Sequence, residues 1–419
     1  MKILGKALLT TVLVAGIFTG LHTNQVKAAS PVSILLDSYP LPFPTEPIIV
    51  EGTTMVPFRA ISEALGIQVT WTQSTKTILA IQGEGANTTR VQLTLGSKKA
   101  IVNGSTVNLN VAPQSVGGNT LIPLSFFSQQ FGSDVKWDQA TRTVSITSPQ
   151  KRLYTLGFYA ISSFSDAQSI PSLDSVAFGW SRIDENGKFT LTGKDYKMPL
   201  PAGDITSDTL ISSASDSRTT PYLMVYSGDV NGELSKIIND ADLRRQAIAD
   251  MISAATSNKF KGILLDFEGL GLTTDKTITR QSFTSFVKDL SKETSANGLK
   301  LSLALHALNS SYQGYDYKAL SKIADELVIM AYDYQKPNGV TPQPEPIDKV
   351  NEAITLALKE TDPTKLVLGL NLYSENADSV TSLIGLAKRY NLKGIALWRL
   401  GLIISDQWTE IRQSVEFKK

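Results

Sequence analysis

The chain has no cysteine. That excludes disulfides, thiolate metal sites, a cysteine nucleophile and lipid attachment through cysteine. Histidine is nearly as scarce, with only His22 and His306. A histidine-rich metal centre or a Ser-His-Asp triad would each rest on one residue, so neither metal nor cofactor is expected. There is also no excess charge of one sign. The 40 basic and 39 acidic residues give a formal net charge of +1, which offers no footprint for nucleic acid. Beyond the first 28 residues, no apolar run is long enough for a transmembrane helix. What is there is a 419-residue chain, 42% hydrophobic and 19% charged. That is a globular composition with room for two or three domains, and a core of that size needs no disulfides.

Residues 1–28 read as a secretory signal peptide. Lys2 and Lys6 precede an apolar run from Ala7 to Leu21, and Val26-Lys27-Ala28 supplies small residues for cleavage. Its removal leaves 37 basic and 39 acidic residues, net −2, with His306 the sole histidine.

An internal repeat follows at an offset of 66 residues. Val50-Glu51-Gly52-Thr53-Thr54-Met55-Val56-Pro57-Phe58 matches Val116-Gly117-Gly118-Asn119-Thr120-Leu121-Ile122-Pro123-Leu124. Each copy runs into a short amphipathic helix, Arg59–Leu65 or Ser125–Phe131, closed by Gly66 or Gly132. A hairpin with a tryptophan comes next, starting at Val69-Thr70-Trp71 or Val135-Lys136-Trp137. The matching positions suggest that Trp71 and Trp137 are hairpin core. These motifs, over residues 32–148, resemble the copper amine oxidase N-terminal-like, or stalk, domain of secreted Gram-positive proteins. The resemblance implies a non-catalytic accessory or wall-associated module. The region has no Cys and no His, so copper has no ligands there.

Ser148–Arg152 reads as a short polar linker. Beyond it, apolar runs alternate with amphipathic helices, the pattern of a parallel α/β domain. The runs are Tyr154–Ala160, Ser175–Trp180, Pro221–Tyr226, Gly262–Phe267, Lys300–Leu305, Glu326–Tyr332, Lys365–Asn371 and Gly394–Trp398. Eight strands over residues 153–419 fit a (β/α)8 TIM barrel. The expected fold is therefore α/β, a TIM barrel preceded by a smaller α+β domain made of two repeats. The Ser-, Asp- and Thr-rich stretch 201–220 reads as a surface loop.

The fourth run ends in Asp266-Phe267-Glu268. A strand alternates its faces, so the two carboxylates share a side. A buried acid pair is costly unless it is used, which makes this the candidate site. At this point the chain resembles glycoside hydrolase family 18, whose fourth strand ends in D-x-x-D-x-D-x-E. This sequence has Lys261, Leu264, Asp266 and Glu268 at those positions. Met330-Ala331-Tyr332-Asp333-Tyr334, Gly369-Leu370-Asn371-Leu372-Tyr373 and Gly394-Ile395-Ala396-Leu397-Trp398 resemble the family's sixth, seventh and eighth strands. Val176–Trp180 with Asp184–Gly187 resembles the second strand of its peptidoglycan and spore-cortex branch.

The resemblance implies a retaining hydrolase in which the substrate's own 2-acetamido oxygen attacks. It makes Glu268 the acid and base, and Asp266 the group that orients the acetamide. Tyr332 would hydrogen-bond the acetamide oxygen, Asp333 would serve the neighbouring sugar site, and Trp398 would stack on a sugar face. Tyr159 and Trp180 are candidate sugar platforms, with core packing the alternative. His306 is either near the substrate or a structural residue. Leu264 replaces an acid, so Asp266 is expected to be held ionised or hydrogen-bonded by another group such as Tyr332. The implied substrate is an N-acetylglucosamine-containing polysaccharide. The short connection between the last two strands favours peptidoglycan over crystalline chitin. The implied setting is secreted, or cell-wall or spore associated, in a Gram-positive bacterium. The rival reading is a catalytically silent, lectin-like wall protein on the same barrel.

Overall fold

Eight parallel strands close into a barrel in the computed structural model, which describes residues 31–83, 85–334 and 342–418. They are β1 (Tyr154–Tyr159), β2 (Ser175–Ile183), β3 (Thr220–Ser227), β4 (Gly262–Phe267), β5 (Lys300–His306), β6 (Glu326–Met330), β7 (Leu366–Asn371) and β8 (Gly394–Trp398). Each pairs with the next, and β8 returns to β1 with Ala396 opposite Leu156. This is the expected TIM barrel. The expected signal peptide lies outside the described residues.

The pleat splits every strand between two cores. Phe158, Ala177, Met224, Leu264, Val328 and Ala396 fill the barrel lumen. Tyr159, Phe178, Val225, Leu265, Ile329 and Leu397 pack outward beneath the helices. Both sides are apolar because helices cover the outside and side chains plug the inside. The helix Lys276–Ala296 shows the sequence logic. Asp275 caps it through the N–H groups of Thr277 and Ile278, and Phe283, Phe286, Val287 and Leu290 are buried.

Residues 201–220 are not simply a loop. Ser207–Asp216 is a helix, started by a reciprocal capping box between Thr206 and Thr209 and anchored by buried Ile211 and Ala214. Its Ser- and Asp-rich composition hid two apolar residues at helical spacing.

The two repeats build the smaller α+β region around its own core. Their equivalent strands, Thr53–Pro57 and Asn119–Pro123, pair antiparallel with Val56 opposite Ile122, so the repeats meet about a pseudo-twofold. The helices are Phe58–Ala64 and Leu124–Gln130, followed by Gly66 and Gly132 at φ +67° and +77°. The hairpins form as expected, Gln68–Thr72 with Thr77–Gln82 and Asp134–Asp138 with Thr143–Thr147. The tryptophans differ from expectation. Trp137 is 41% exposed, and Trp71 is only partly buried. Gln68–Thr72 and Asp134–Asp138 are the edge strands of a five-stranded and a four-stranded sheet, and the indoles lie at that edge.

The linker is not free. Lys151–Arg152 pairs in parallel with Val415–Glu416, and Gln150 Nε2 donates to the carbonyls of Arg412 and Val415. Arg389, on the helix Ala377–Arg389, donates to the carbonyls of Leu36, Tyr39 and Pro40. Tyr39 donates to Asp348 at 2.8 Å, and Lys388 Nζ donates to the Pro149 carbonyl at 3.2 Å. Val32–Lys419 is accordingly one compact unit. Replacing Arg389 by Ala removes three charge-assisted contacts and should cost roughly 3 kcal/mol of docking. The expected result is protease cleavage within residues 148–152 under conditions where the wild type stays intact.

Candidate active site

β4 sets the centre. Leu264 is fully buried in the lumen, and the pleat places Asp266 and Glu268 above it on the same side. Ile263, Leu265 and Phe267 face the helices. Glu268 lies one residue past the strand, and its N–H donates to the Ser227 carbonyl of β3 at 2.8 Å. In a TIM barrel this C-terminal mouth is where strand ends bring side chains together.

The electrostatics are those of a water-poor acid pair. Burial, then the neighbouring charge of Asp333, pushes the Glu268 pKa up to about 7. Asp266 is 2% exposed. Burial, then the Glu268 charge, raises its pKa well above the carboxylate range. Its Oδ1 accepts no hydrogen bond among the described residues. This differs from the expected ionised Asp266. With Leu264 in place of an acid, no neighbouring carboxyl shares the proton from below, and burial keeps it on the pair. The arrangement can deliver a proton from Glu268 and offers an unpartnered acceptor at Asp266.

Tyr332 stands just past β6, which ends two residues earlier than the apolar run suggests. Its ring lies over Gly369 of β7. A Cβ at Gly369 would sit 3.1 Å from the Tyr332 Cε1 and 2.9 Å from the Ile329 carbonyl. Burial, then the charges of Asp266 and Glu268, holds the Tyr332 hydroxyl protonated. It is therefore available as a donor beside the acids. Asp333 takes a left-handed φ of 61°, and Glu345 fixes that turn by accepting the N–H groups of Asp333 and Tyr334. Asn371 Nδ2 reaches the Asp333 carboxylate at 3.5 Å. Trp398 ends β8 opposite Asn371 and meets Phe158 edge-on at 5.1 Å.

Asp266, Glu268, Tyr332, Asp333 and Trp398 thus gather at one mouth. Tyr159 and Trp180 do not join them. They are 7% and 4% exposed and pack with Phe178 in the outer core. Phe158 and Ala177 take the lumen, so the neighbouring pleat position turns Tyr159 outward, and Trp180 follows Phe178 on that side. His306 does lie on the lumen side of β5, stacked on Tyr312 at 4.0 Å. Burial lowers its pKa to about 4, so it is neutral at pH 7, and its Nε2 is unpartnered among the described residues.

Sequence reasoning missed Tyr226 and Tyr196, which stack at 4.0 Å beside the acids. The alternation Tyr222-x-Met224-x-Tyr226 signals the first. Tyr196 comes from an irregular segment with no periodicity to place it. Arg399 was also missed. It follows Trp398 and donates to the Ala160 carbonyl and the Ser162 hydroxyl.

Residues 135–383 match the family described as glycosyl hydrolases family 18, and residues 35–146 match the copper amine oxidase N-terminal domain. The donor set of residues 35–146, without His or Cys, does not fit copper. The chain is 24% identical over 269 residues to a cortical fragment-lytic enzyme of Bacillus subtilis (strain 168), covering 48% of this chain and 61% of that protein. It is 26% identical over 202 residues to the cortical fragment-lytic enzyme of Bacillus anthracis, covering 43% and 46%. The chain thus spans about half the length of the curated relatives it matches. A chitinase from Chromobacterium violaceum ATCC 12472 superposes with a TM-score of 0.52 at 22% identity, over 62% of this chain and 98% of that one. The Bacillus cereus spore cortex-lytic enzyme SleL gives 0.52 at 18% identity, over 65% and 77%. At these identities the structures establish the fold.

Proposed function

The chain belongs to the glycosyl hydrolases family 18, and from that premise we propose that it cleaves β-1,4 bonds at N-acetylglucosamine in a wall polysaccharide. The observation that carries this reading is the buried Asp266–Glu268 pair, with Glu268 near pKa 7 at the barrel mouth. In the proposed cycle, protonated Glu268 donates to the glycosidic oxygen as the bond breaks. The substrate's acetamide oxygen attacks the anomeric carbon and holds the positive charge as an oxazolinium ion. Asp266 Oδ1 accepts the acetamide N–H, and the Tyr332 hydroxyl donates to the acetamide oxygen. Trp398 supplies the apolar face on which the sugar lies. Glu268, now ionised, takes a proton from the water that attacks the anomeric carbon, and the bond from that carbon to the acetamide oxygen breaks as the oxazolinium ring opens. Asp333 serves the adjoining sugar.

Peptidoglycan is the favoured substrate. β7 and β8 are joined through the single helix Ala377–Arg389, so no inserted domain stands between them to deepen the cleft. The relatives named cortical fragment-lytic enzymes support the same choice, as they do a secreted, wall- or spore-associated setting. The repeat region, residues 32–148, is proposed as an accessory module carried by the barrel, residues 153–419. The test is a digest of purified peptidoglycan and of chitin, with products identified by mass. Reducing N-acetylglucosamine ends from peptidoglycan are expected. Intact polymer in both digests would overturn the reading.

Leu264 favours a second reading, a carbohydrate-binding protein without turnover. Saturable binding of N-acetylglucosamine oligomers with no product at any pH would establish it.

A further inference from the structure

The smaller domain carries two grooves in equivalent places. In the first, of about 330 Å³, Trp71, Pro57 and Arg59 of the first repeat face Asn119 and Thr120 of the second. In the second, of about 460 Å³, Trp137, Pro123 and Ser125 of the second repeat face Thr53 and Thr54 of the first. Each of these residues maps onto its counterpart by the 66-residue offset. The pseudo-twofold at Val56 and Ile122 explains why each groove is built from both repeats.

The tryptophans are set as platforms. Trp71 Nε1 donates to Gln73 Oε1 at 2.8 Å, and Trp137 Nε1 donates to Gln139 Oε1 at 2.9 Å. The same residue, two positions on, fixes the indole in both repeats. With its N–H engaged, the ring has its π face to offer. Trp137 is 41% exposed, and Trp71, though it packs in part against the domain core, is only partly buried, so both indoles keep surface at the groove rim.

We propose that the two grooves are glycan-binding sites, each stacking a sugar ring on its tryptophan. The lining chemistry selects this occupant. No charged side chain lines the second groove among the described residues, where Asn108, Asn110 and Gln139 share the lining with Trp137, whereas the first groove adds Arg59 and Glu63, whose charged groups can hydrogen-bond sugar hydroxyls. A flat apolar surface edged by neutral amides and hydroxyls suits a pyranose, which has an apolar C–H face and hydroxyl edges. The identity of the glycan, the same N-acetylglucosamine polymer, rests on the function proposed above. Because the two repeats pair into one domain, the grooves present two sites at constant separation. An insoluble polymer can fill both at once and gain avidity over either alone.

The test uses the full chain carrying Glu268→Gln, so that polymer is not consumed. Retention on peptidoglycan sacculi and on chitin is compared for Trp71→Ala, Trp137→Ala and the double variant. Each single change should weaken retention, and the double change should lower apparent affinity by about 10²-fold or more. The same tryptophan changes in the wild-type background should leave turnover of a soluble fluorogenic N-acetylglucosamine oligomer within about twofold. A double variant with native melting temperature that is retained like its parent overturns the proposal.

A titration with a soluble N-acetylglucosamine hexamer, read on the indole N–H resonances, covers the case in which the variants do not fold. The chain has five tryptophans. Shifts at Trp71 and Trp137 report the grooves, and a shift at Trp398 reports the barrel. Silence at Trp71 and Trp137 alone sinks the groove proposal. Silence at Trp398 alone speaks against the barrel reading instead.

Discussion

Replacing Glu268 by Gln is expected to leave a folded protein whose turnover on a fluorogenic N-acetylglucosamine oligomer falls about 10²–10⁴-fold. Gln keeps the shape and loses the proton. KM should change little, because in the proposed cycle the acid acts on the leaving group and not on ground-state binding. The wild-type rate should decline as pH rises through about 7, the pKa that burial gives this carboxyl. The same shift sets a stability trend. A carboxyl whose folded pKa is raised prefers the folded state when protonated. Its contribution is fully present below the unfolded value of 4.5 and is lost as pH rises to about 7. That loss is at most about 3 kcal/mol for a shift of this size. Asp266 acts in the same direction, since burial raises it too. The Gln variant lacks the Glu268 share of the slope, so its melting temperature at pH 8 should exceed that of the wild type. A variant that keeps wild-type turnover removes Glu268 from the mechanism.

The second large effect is at Asp266. Asp266→Asn preserves volume, but an amide cannot give up the proton that burial holds on the acid pair and so cannot become the charge that balances an oxazolinium ion. Turnover should fall about 10²–10³-fold, the usual loss when one preorganised electrostatic partner of a charged intermediate is removed. Stability should hold or rise, because Asp266 is buried with Oδ1 unpartnered among the described residues. Combined with Glu268→Gln, the losses should be far from additive, since the proposed cycle has the two side chains serve one step. A wild-type rate for Asp266→Asn would show that the acetamide is oriented by another group. Tyr332, whose hydroxyl burial keeps protonated, would be the next to examine.

The barrel was legible in the sequence because each strand is a short apolar run bounded by polar turns. β4 and β8 fall on the expected residues, as both begin at a glycine and end where side chains leave the core. The site was legible at β4 because two acids interrupt that run at a spacing of two, which fixes their common side. Elsewhere the same property hid the answer. A strand apolar on both sides does not reveal which side faces the lumen. Tyr159 and Trp180 were therefore open to either placement, and the positions of Phe158 and Ala177 decide it.

Other features depend on contacts distant in sequence. Tyr196 lies beside the acids while stacked on Tyr226, 30 residues later. Glu345 fixes the Asp333 turn from 12 residues downstream. The proton balance of Asp266 also escaped sequence reasoning, because it follows from burial around Leu264. The 66-residue repeat predicted that Trp71 and Trp137 are equivalent. It could not predict that both lie at a groove rim, since each groove is completed by the other repeat.

The central claim is that one protein carboxylic acid and the substrate's own acetamide carry out the cleavage. The most direct measurement is the anomeric form of the first product, read by proton NMR during hydrolysis of a soluble N-acetylglucosamine oligomer. The account predicts the β anomer, retained from the substrate, appearing before mutarotation. An initial α anomer would mean inversion by water activated on a second carboxylate, and would contradict the roles of Asp266 as acetamide partner and Glu268 as acid and base.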